Sequence, residues 1–354
     1  MDVIGYIKKY GNYTFKEKEF NDIDNLVFCN LSYLDFSYTS INISEHTLGY
    51  IGREYLKNNK FRIIRKLGIG QRNGYKVLES VINTKRYKNL IVHDYVCTVN
   101  KNKQFSACMF RISDELEYIC YEGTDEAVSG WKEDFELACF FPVPAQKDAI
   151  KYANKHIKIR GPYVIIGGHS KGGNLALVAA MYTNELKQFR IKKVYSNDGP
   201  GLRRKEFESG KYRRIKRKFI HIVPEYSVVG ILMRNDVYHV IKSTHNNMLS
   251  HSLMSWIIKD DKLVKSELSL KSKKLESRII SWLEKHSDEE KEKTINTLFK
   301  VLEDADITKL VELNKISNVI KVINNIKNVD KQTKDVFIDL VKNGLFERNV
   351  NKWN

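Results

Sequence analysis

One serine, Ser170, stands where a β-branched run, Val164-Ile165-Ile166, passes through glycines into a helix-forming run with Leu175, Ala176, Ala179 and Ala180 at helical spacing. Gly168-His169-Ser170-Lys171-Gly172 fits G-x-S-x-G, the tight strand-to-helix turn that lifts a serine hydroxyl above a sheet. The pattern alone is common, and a serine that merely caps a helix would satisfy it. The strand before it and the helix after it make a nucleophile elbow the sharper reading. A serine hydroxyl is a weak nucleophile near neutral pH. It needs a histidine to take its proton and a carboxylate to fix the tautomer of that histidine.

In α/β hydrolases these groups follow the serine in the order acid, then histidine. Downstream of Ser170 lie His221, His239, His245 and His251. The first two fall inside strand-like runs and read as structural. His245 and His251 share the loop between a strand at 237–242 and the apolar stretch Leu253 to Ile258, where a late-loop base belongs. For the acid, Asp198 follows a strand directly in Asn197-Asp-Gly-Pro-Gly201, and Glu225, after Val223-Pro224, is the alternative. Oxyanion stabilisation needs two donors. The motif supplies the backbone N–H of Lys171, and the strand end Tyr121-Glu-Gly-Thr124 supplies that of Thr124. His169, one residue from the nucleophile, points off the hydroxyl and reads as a packing residue.

These residues require a sheet whose carboxyl ends meet at one edge. Leu90 to Val99, Phe105 to Ile112 and Leu116 to Tyr121 form a strand-like meander. Beyond it, strands at 163–167, 191–196, 218–223 and 237–242 alternate with helical stretches at 144–157 and 171–183, which implies a mostly parallel sheet flanked by helices. An amphipathic stretch at 22–34 predicts a helix covering that sheet. The reading divides the chain into an α/β-hydrolase-like domain, 1–261, and a helical C-terminal appendage, 262–354. In the appendage Ser287 and Glu290 start a helix through Thr294, Leu298, Val301 and Leu302, and further amphipathic stretches run over 307–326 and 330–345.

The 354 residues carry a formal charge of +17, which attracts phosphates without selecting among nucleic acid, anionic lipid and phosphorylated small molecules. The densest basic stretch, 203–218, holds Phe207 and Tyr212 and reads as a solvated surface or an anionic contact, with no specific nucleic-acid motif. Five cysteines without C-x-x-C spacing indicate neither a disulfide framework nor zinc. No metal-binding or P-loop spacing is present, so no metal or cofactor is expected. Without a cleavable leader or a membrane-length apolar run, the expected location is the cytoplasm.

Several motifs in fixed order carry a resemblance. Gly123-Thr-Asp-Glu126 with Gly130-Trp-Lys-Glu-Asp-Phe135, then Val143-Pro-Ala-Gln146, Gly168-His-Ser-Lys-Gly-Gly-Asn-Leu-Ala176, Asp198-Gly-Pro-Gly201 and Val228-Val-Gly-Ile-Leu232 resemble a family of bacterial, mostly Gram-positive, α/β-hydrolase-like proteins of unknown function. The matches span about residues 20 to 260. That family is similar in turn to class 3 lipases. The resemblance implies Ser170 as nucleophile, His251 as base, and Thr124 and Lys171 as oxyanion donors. Class 3 lipases carry the acid in an Asp-x-Val-Pro segment, and the comparable stretch here, Ile222 to Gly230, has Glu225 and Ser227 but no aspartate. Asp198 is therefore assigned the role, with Glu225 kept as the alternative. Trp131-Lys-Glu-Asp-Phe135 reads either as a lid anchor or as a buried aromatic on a salt-bridged helical turn.

The expected activity is that of a serine esterase or lipase-like hydrolase, acting on a small-molecule ester or lipid through an acyl-enzyme. The competing expectation is an inactive hydrolase-shaped protein that binds anionic lipid or nucleic acid through its basic segment.

Overall fold

A computed structural model describes residues 1–38, 43, 46–58, 68–100, 103–124, 128–236, 238–307, 318 and 321. Helices Val3–Tyr10 (α1), Asp22–Leu31 (α2), Leu48–Asn58 (α3) and Ile69–Val81 (α4) precede the sheet. Strands Ile91–Asn100 (β1), Lys103–Ser113 (β2) and Leu116–Tyr121 (β3) then pair antiparallel. Tyr163–His169 (β4), Ile191–Asn197 (β5), Phe219–Pro224 (β6) and His239–Ile241 (β7) continue from β3 in parallel. The seventh strand is shorter than the 237–242 run predicts.

The spatial order of the seven strands equals their chain order. Because parallel crossovers are right-handed, a sheet that grows steadily in one direction sends every crossover to the same face. The crossovers carry Val128–Glu136 (α5) and Pro144–His156 (α6), then Lys171–Tyr182 (α7) and Glu185–Gln188 (α8), then Arg204–Phe207 (α9) and Gly210–Ile215 (α10). Side chains of α6, α7 and α10 pack in one core with Ala107, Met109, Ile119 and Tyr121. The alternate residues, Cys108, Phe110, Tyr118 and Cys120, point to the other face. With no crossover to cover it, that face is closed by α1, α2 and α4, through residues such as Tyr6, Leu26, Phe28 and Leu78.

Leu270–Lys285 (α11) and Asp288–Asp304 (α12) follow. Leu275 and Ile279 of α11 pack on Val223 and Ile231, and Phe299 of α12 meets the Phe135 ring of α5 at 5.7 Å. Helix α12 starts with the expected capping box between Ser287 and Glu290. The predicted stretches at 307–326 and 330–345 lie almost wholly outside the described residues. No described helix is long and apolar enough to cross a membrane.

Candidate active site

Every residue singled out for chemistry sits at or beyond the carboxyl end of a strand. Ser170 follows β4 with φ 57° and ψ −132°, a conformation that L-residues rarely adopt. The surrounding backbone enforces it. Ser170 N–H donates to Asn197 O at 3.0 Å, and a Cβ at Gly168 would strike the Gly172 backbone. A Cβ at Gly172 would strike the Tyr121 carbonyl, so both motif glycines are required by close approach. Ser170 makes no side-chain capping bond to α7, which leaves its hydroxyl unspent on the helix.

Asp198 also lies at positive φ, 49°, and is fully buried. Its Oδ1 accepts from Ser227 Oγ at 2.5 Å and from Gly230 N–H at 3.0 Å, while Oδ2 meets His251 Nδ1 at 2.6 Å. The carboxylate accepts, so this contact leaves His251 Nδ1 as the protonated nitrogen and Nε2 free to take a proton. Glu225, the alternative acid, spends its side chain on Ser266 Oγ at 2.7 Å. His245 is exposed. His221 is buried in β6, where desolvation pushes it down to about 4.

His169 does more than pack. Its Nε2 lies 2.8 Å from His251 O, and its Nδ1 lies 2.7 Å from Tyr33 Oη. A carbonyl only accepts, so Nε2 carries the proton and Nδ1 receives the tyrosine O–H. Burial holds His169 well below the ordinary histidine range, which keeps it neutral. Neither nitrogen remains for Ser170. Through this bond the histidine beside Ser170 draws the backbone of His251 to the elbow, and the two imidazoles lie 4.4 Å apart. No hydrogen bond joins Ser170 Oγ to His251 among the described residues.

The end of β3 lies against the elbow, since a Cβ at Gly123 would meet His169 O and Ser170 Cβ. Thr124 therefore follows immediately beside the serine, and its Oγ1 donates to Asp134 Oδ1 of α5 at 2.8 Å. Asp134 is buried, and desolvation pushes its carboxyl up to about 7. Lys171 is the first residue of α7, where a backbone N–H has no intrahelical acceptor. Its side chain is an unexpected feature: it is fully buried, with Nζ donating to Glu133 Oε2 at 2.7 Å and to Gln104 O at 3.0 Å. A cation in the first turn opposes the helix dipole, and Glu133 compensates it. The Trp131 side chain lies outside what is described, and so do Asp125 and Glu126.

Among the described residues no cluster of His, Cys, Asp and Glu could hold a metal ion. The basic stretch at 203–218 folds as α9, α10 and a closing turn. Within it Arg203 pairs with Asp288, Arg204 with Glu208, Arg214 with Glu185 and Lys216 with Asp236.

Comparison with curated protein sequences finds no match. Among solved structures the chain is similar to the lipase whose structure is titled "Crystal structure of M37 lipase", at 14% identity and a TM-score of 0.38, over 73% of this chain and 79% of that one. It is also similar to the fungal lipase of a lipase–inhibitor complex described as a model for interfacial activation, at 14% identity and a TM-score of 0.35, over 49% of this chain and 70% of that one. The Mbeg1-like family model matches residues 81–300, more than half of the sequence and across both the sheet and the first C-terminal helices, and the chain belongs to the Mbeg1-like family.

Proposed function

We propose that the protein is a serine hydrolase that cleaves a carboxylic ester through an acyl-enzyme on Ser170. The observation that carries this reading is the 2.6 Å contact between His251 Nδ1 and a buried Asp198, at the strand end next to a serine held at φ 57°. A buried carboxylate with its second oxygen fully engaged can do little else but orient that imidazole.

Ser170 Oγ attacks the ester carbonyl while His251 Nε2 accepts its proton. The resulting oxyanion is held by the backbone N–H groups of Lys171 and Thr124, on the two sides of the elbow. The intermediate expels the alcohol, which leaves with the proton from His251 Nε2, and Ser170 is left acylated. Water, deprotonated by the same nitrogen, then attacks the acyl carbonyl and releases the acid. Asp198 stays ionised throughout and favours the imidazolium that forms. The Ser170 to His251 hydrogen bond closes when substrate binds, as catalytic contacts commonly tighten in the Michaelis complex. The substrate class is a small-molecule ester or a lipid ester.

The test is covalent labelling with a fluorophosphonate. Wild type is expected to react, and Ser170→Ala is expected to lose labelling completely while keeping its thermal unfolding profile. Labelling that persists in Ser170→Ala, or a wild type that never labels or hydrolyses any member of a short-to-long acyl ester series, overturns the reading.

A further inference from the structure

Opposite the catalytic edge, where the parallel strands begin, the surface combines two features that rarely occur together. Phe189, Leu186 and Ile159 are large apolar side chains exposed by 77%, 62% and 49%. They sit close to one another. Leu186 lies in α8, Phe189 ends that helix, and Arg190 Nε donates to the Ile159 carbonyl at 2.7 Å. Around them stand exposed or half-exposed cations: Arg160, Lys187, Arg190, Lys192 and Arg217. None of these five pairs with a carboxylate among the described residues. Arg190 and Lys192 lie over the Tyr163 ring instead, at 5.3 and 4.4 Å, and Lys187 donates to the Asn154 carbonyl. The nearby acids are Glu185, already held by Arg214 at 2.9 Å, and the Asp114-Glu115 turn beside Tyr163.

We propose that this edge docks on an anionic phospholipid bilayer. Protruding apolar groups gain by entering the acyl boundary, and a cationic ring gains by meeting lipid phosphates. Leucine and isoleucine gain nothing from stacking on bases, so a nucleic acid would use the cations and leave the protrusions in water. A second copy of the chain would present the same positive charge and be repelled. Of the basic stretch at 203–218, Arg217 is brought to this edge by its neighbour Lys218, whose Nζ donates to the Gln188 carbonyl at 2.8 Å, while Arg203 and Arg204 are committed to carboxylates elsewhere.

Strand β4 separates this edge from Ser170 by seven residues, roughly 20 Å. A bilayer bound here therefore lies behind the molecule, and the catalytic edge faces away from it. The inference stands on the surface alone and does not depend on the role of Ser170.

The experiment is co-sedimentation of the full chain with vesicles of phosphatidylcholine alone or with about one-third phosphatidylglycerol. Binding is expected only with the anionic lipid and is expected to fall as salt rises. The double variant Leu186→Ser/Phe189→Ser should weaken vesicle affinity about tenfold or more. Lys192→Glu and Arg217→Glu should each weaken it at least about fivefold. All four side chains are exposed, and an unchanged thermal unfolding profile verifies that each variant is folded. Absence of binding to anionic vesicles at low salt overturns the proposal, and so does binding that ignores the double serine variant. Salt-sensitive binding of a single-stranded RNA without vesicle binding would likewise overturn it and mark a nucleic-acid surface.

Discussion

Two buried ion pairs, one on each face of the sheet, are built to different standards. In the N-terminal helical layer Arg86 and Asp24 are both fully buried. Arg86 binds both Asp24 oxygens, at 2.7 and 2.5 Å, and donates further to the carbonyls of Lys18 and Glu19, with its guanidinium 3.9 Å from the Phe15 ring. Asp24 also accepts from Tyr87 Oη at 2.6 Å and from Asn21 N–H at 2.9 Å. Every strong donor and acceptor is engaged. Beside the elbow, Lys171 and Glu133 make a pair nearly as deep, yet Glu133 Oε1 and the neighbouring Asp134 Oδ2 are buried without a partner among the described residues. Saturation characterises the pair that holds helices together, and unspent acceptor capacity characterises the pair next to Ser170.

The contrast can be broken most forcefully at Asp24. Asp24→Ala strands a buried guanidinium and is expected to lower stability by about 3–5 kcal/mol in urea unfolding. The labelling rate of Ser170 in the protein that remains folded should not change. If stability holds, or if reactivity falls in step with it, the division between the two pairs is wrong.

A smaller effect sharpens the side of the Lys171–Glu133 pair. Asp134 is raised from an ordinary aspartate value of 3.8 to about 7 by burial, so between those limits the folded protein holds a proton that the unfolded chain has released. Stability must therefore fall as pH rises through that window, with a slope from this group of up to about 1.4 kcal/mol per pH unit. Asp134→Asn should flatten that part of the stability profile in urea titrations between pH 4 and 7. An unchanged slope would remove Asp134 as its source.

The smallest effect lies at Tyr33. Tyr33→Phe removes the O–H that fixes the His169 tautomer and should cost about 0.5–1.5 kcal/mol. Measured as the fluorophosphonate rate at Ser170, that is at most about a tenfold loss. A loss as deep as that of Ser170→Ala would mean that Tyr33 touches the reacting atoms.

How much of this was legible from the residues follows from the range of each interaction. The elbow was readable because a β-branched run, two glycines and an alanine-rich run encode strand, turn and helix within eighteen residues, 163–180. Chain order and loop position narrow the base to His245 or His251, which only the family resemblance separates, and they favour Asp198 as the acid over Glu225, whose side chain is bound to Ser266. The Tyr33 to His169 bond spans 136 positions, and one sequence contains no signal for it. The Lys171 side chain did leave a trace. A lysine in the first turn of an otherwise apolar helix needs a carboxylate, and Glu133 stood in a motif already singled out.

Tyr33 and Asn25 carry a practical lesson about dissecting this molecule. Both lie upstream of residue 81, where the family match begins. Yet one fixes the imidazole next to Ser170, and the other exchanges amide hydrogen bonds with Asn197, whose own side chain reaches the Gly168 carbonyl at 3.1 Å. A fragment trimmed to the matched segment would keep Ser170 and Asp198 while discarding the struts beneath them, together with the helices that shield one face of the sheet. The smallest unit that keeps these contacts is thus larger than the segment matched by the family model.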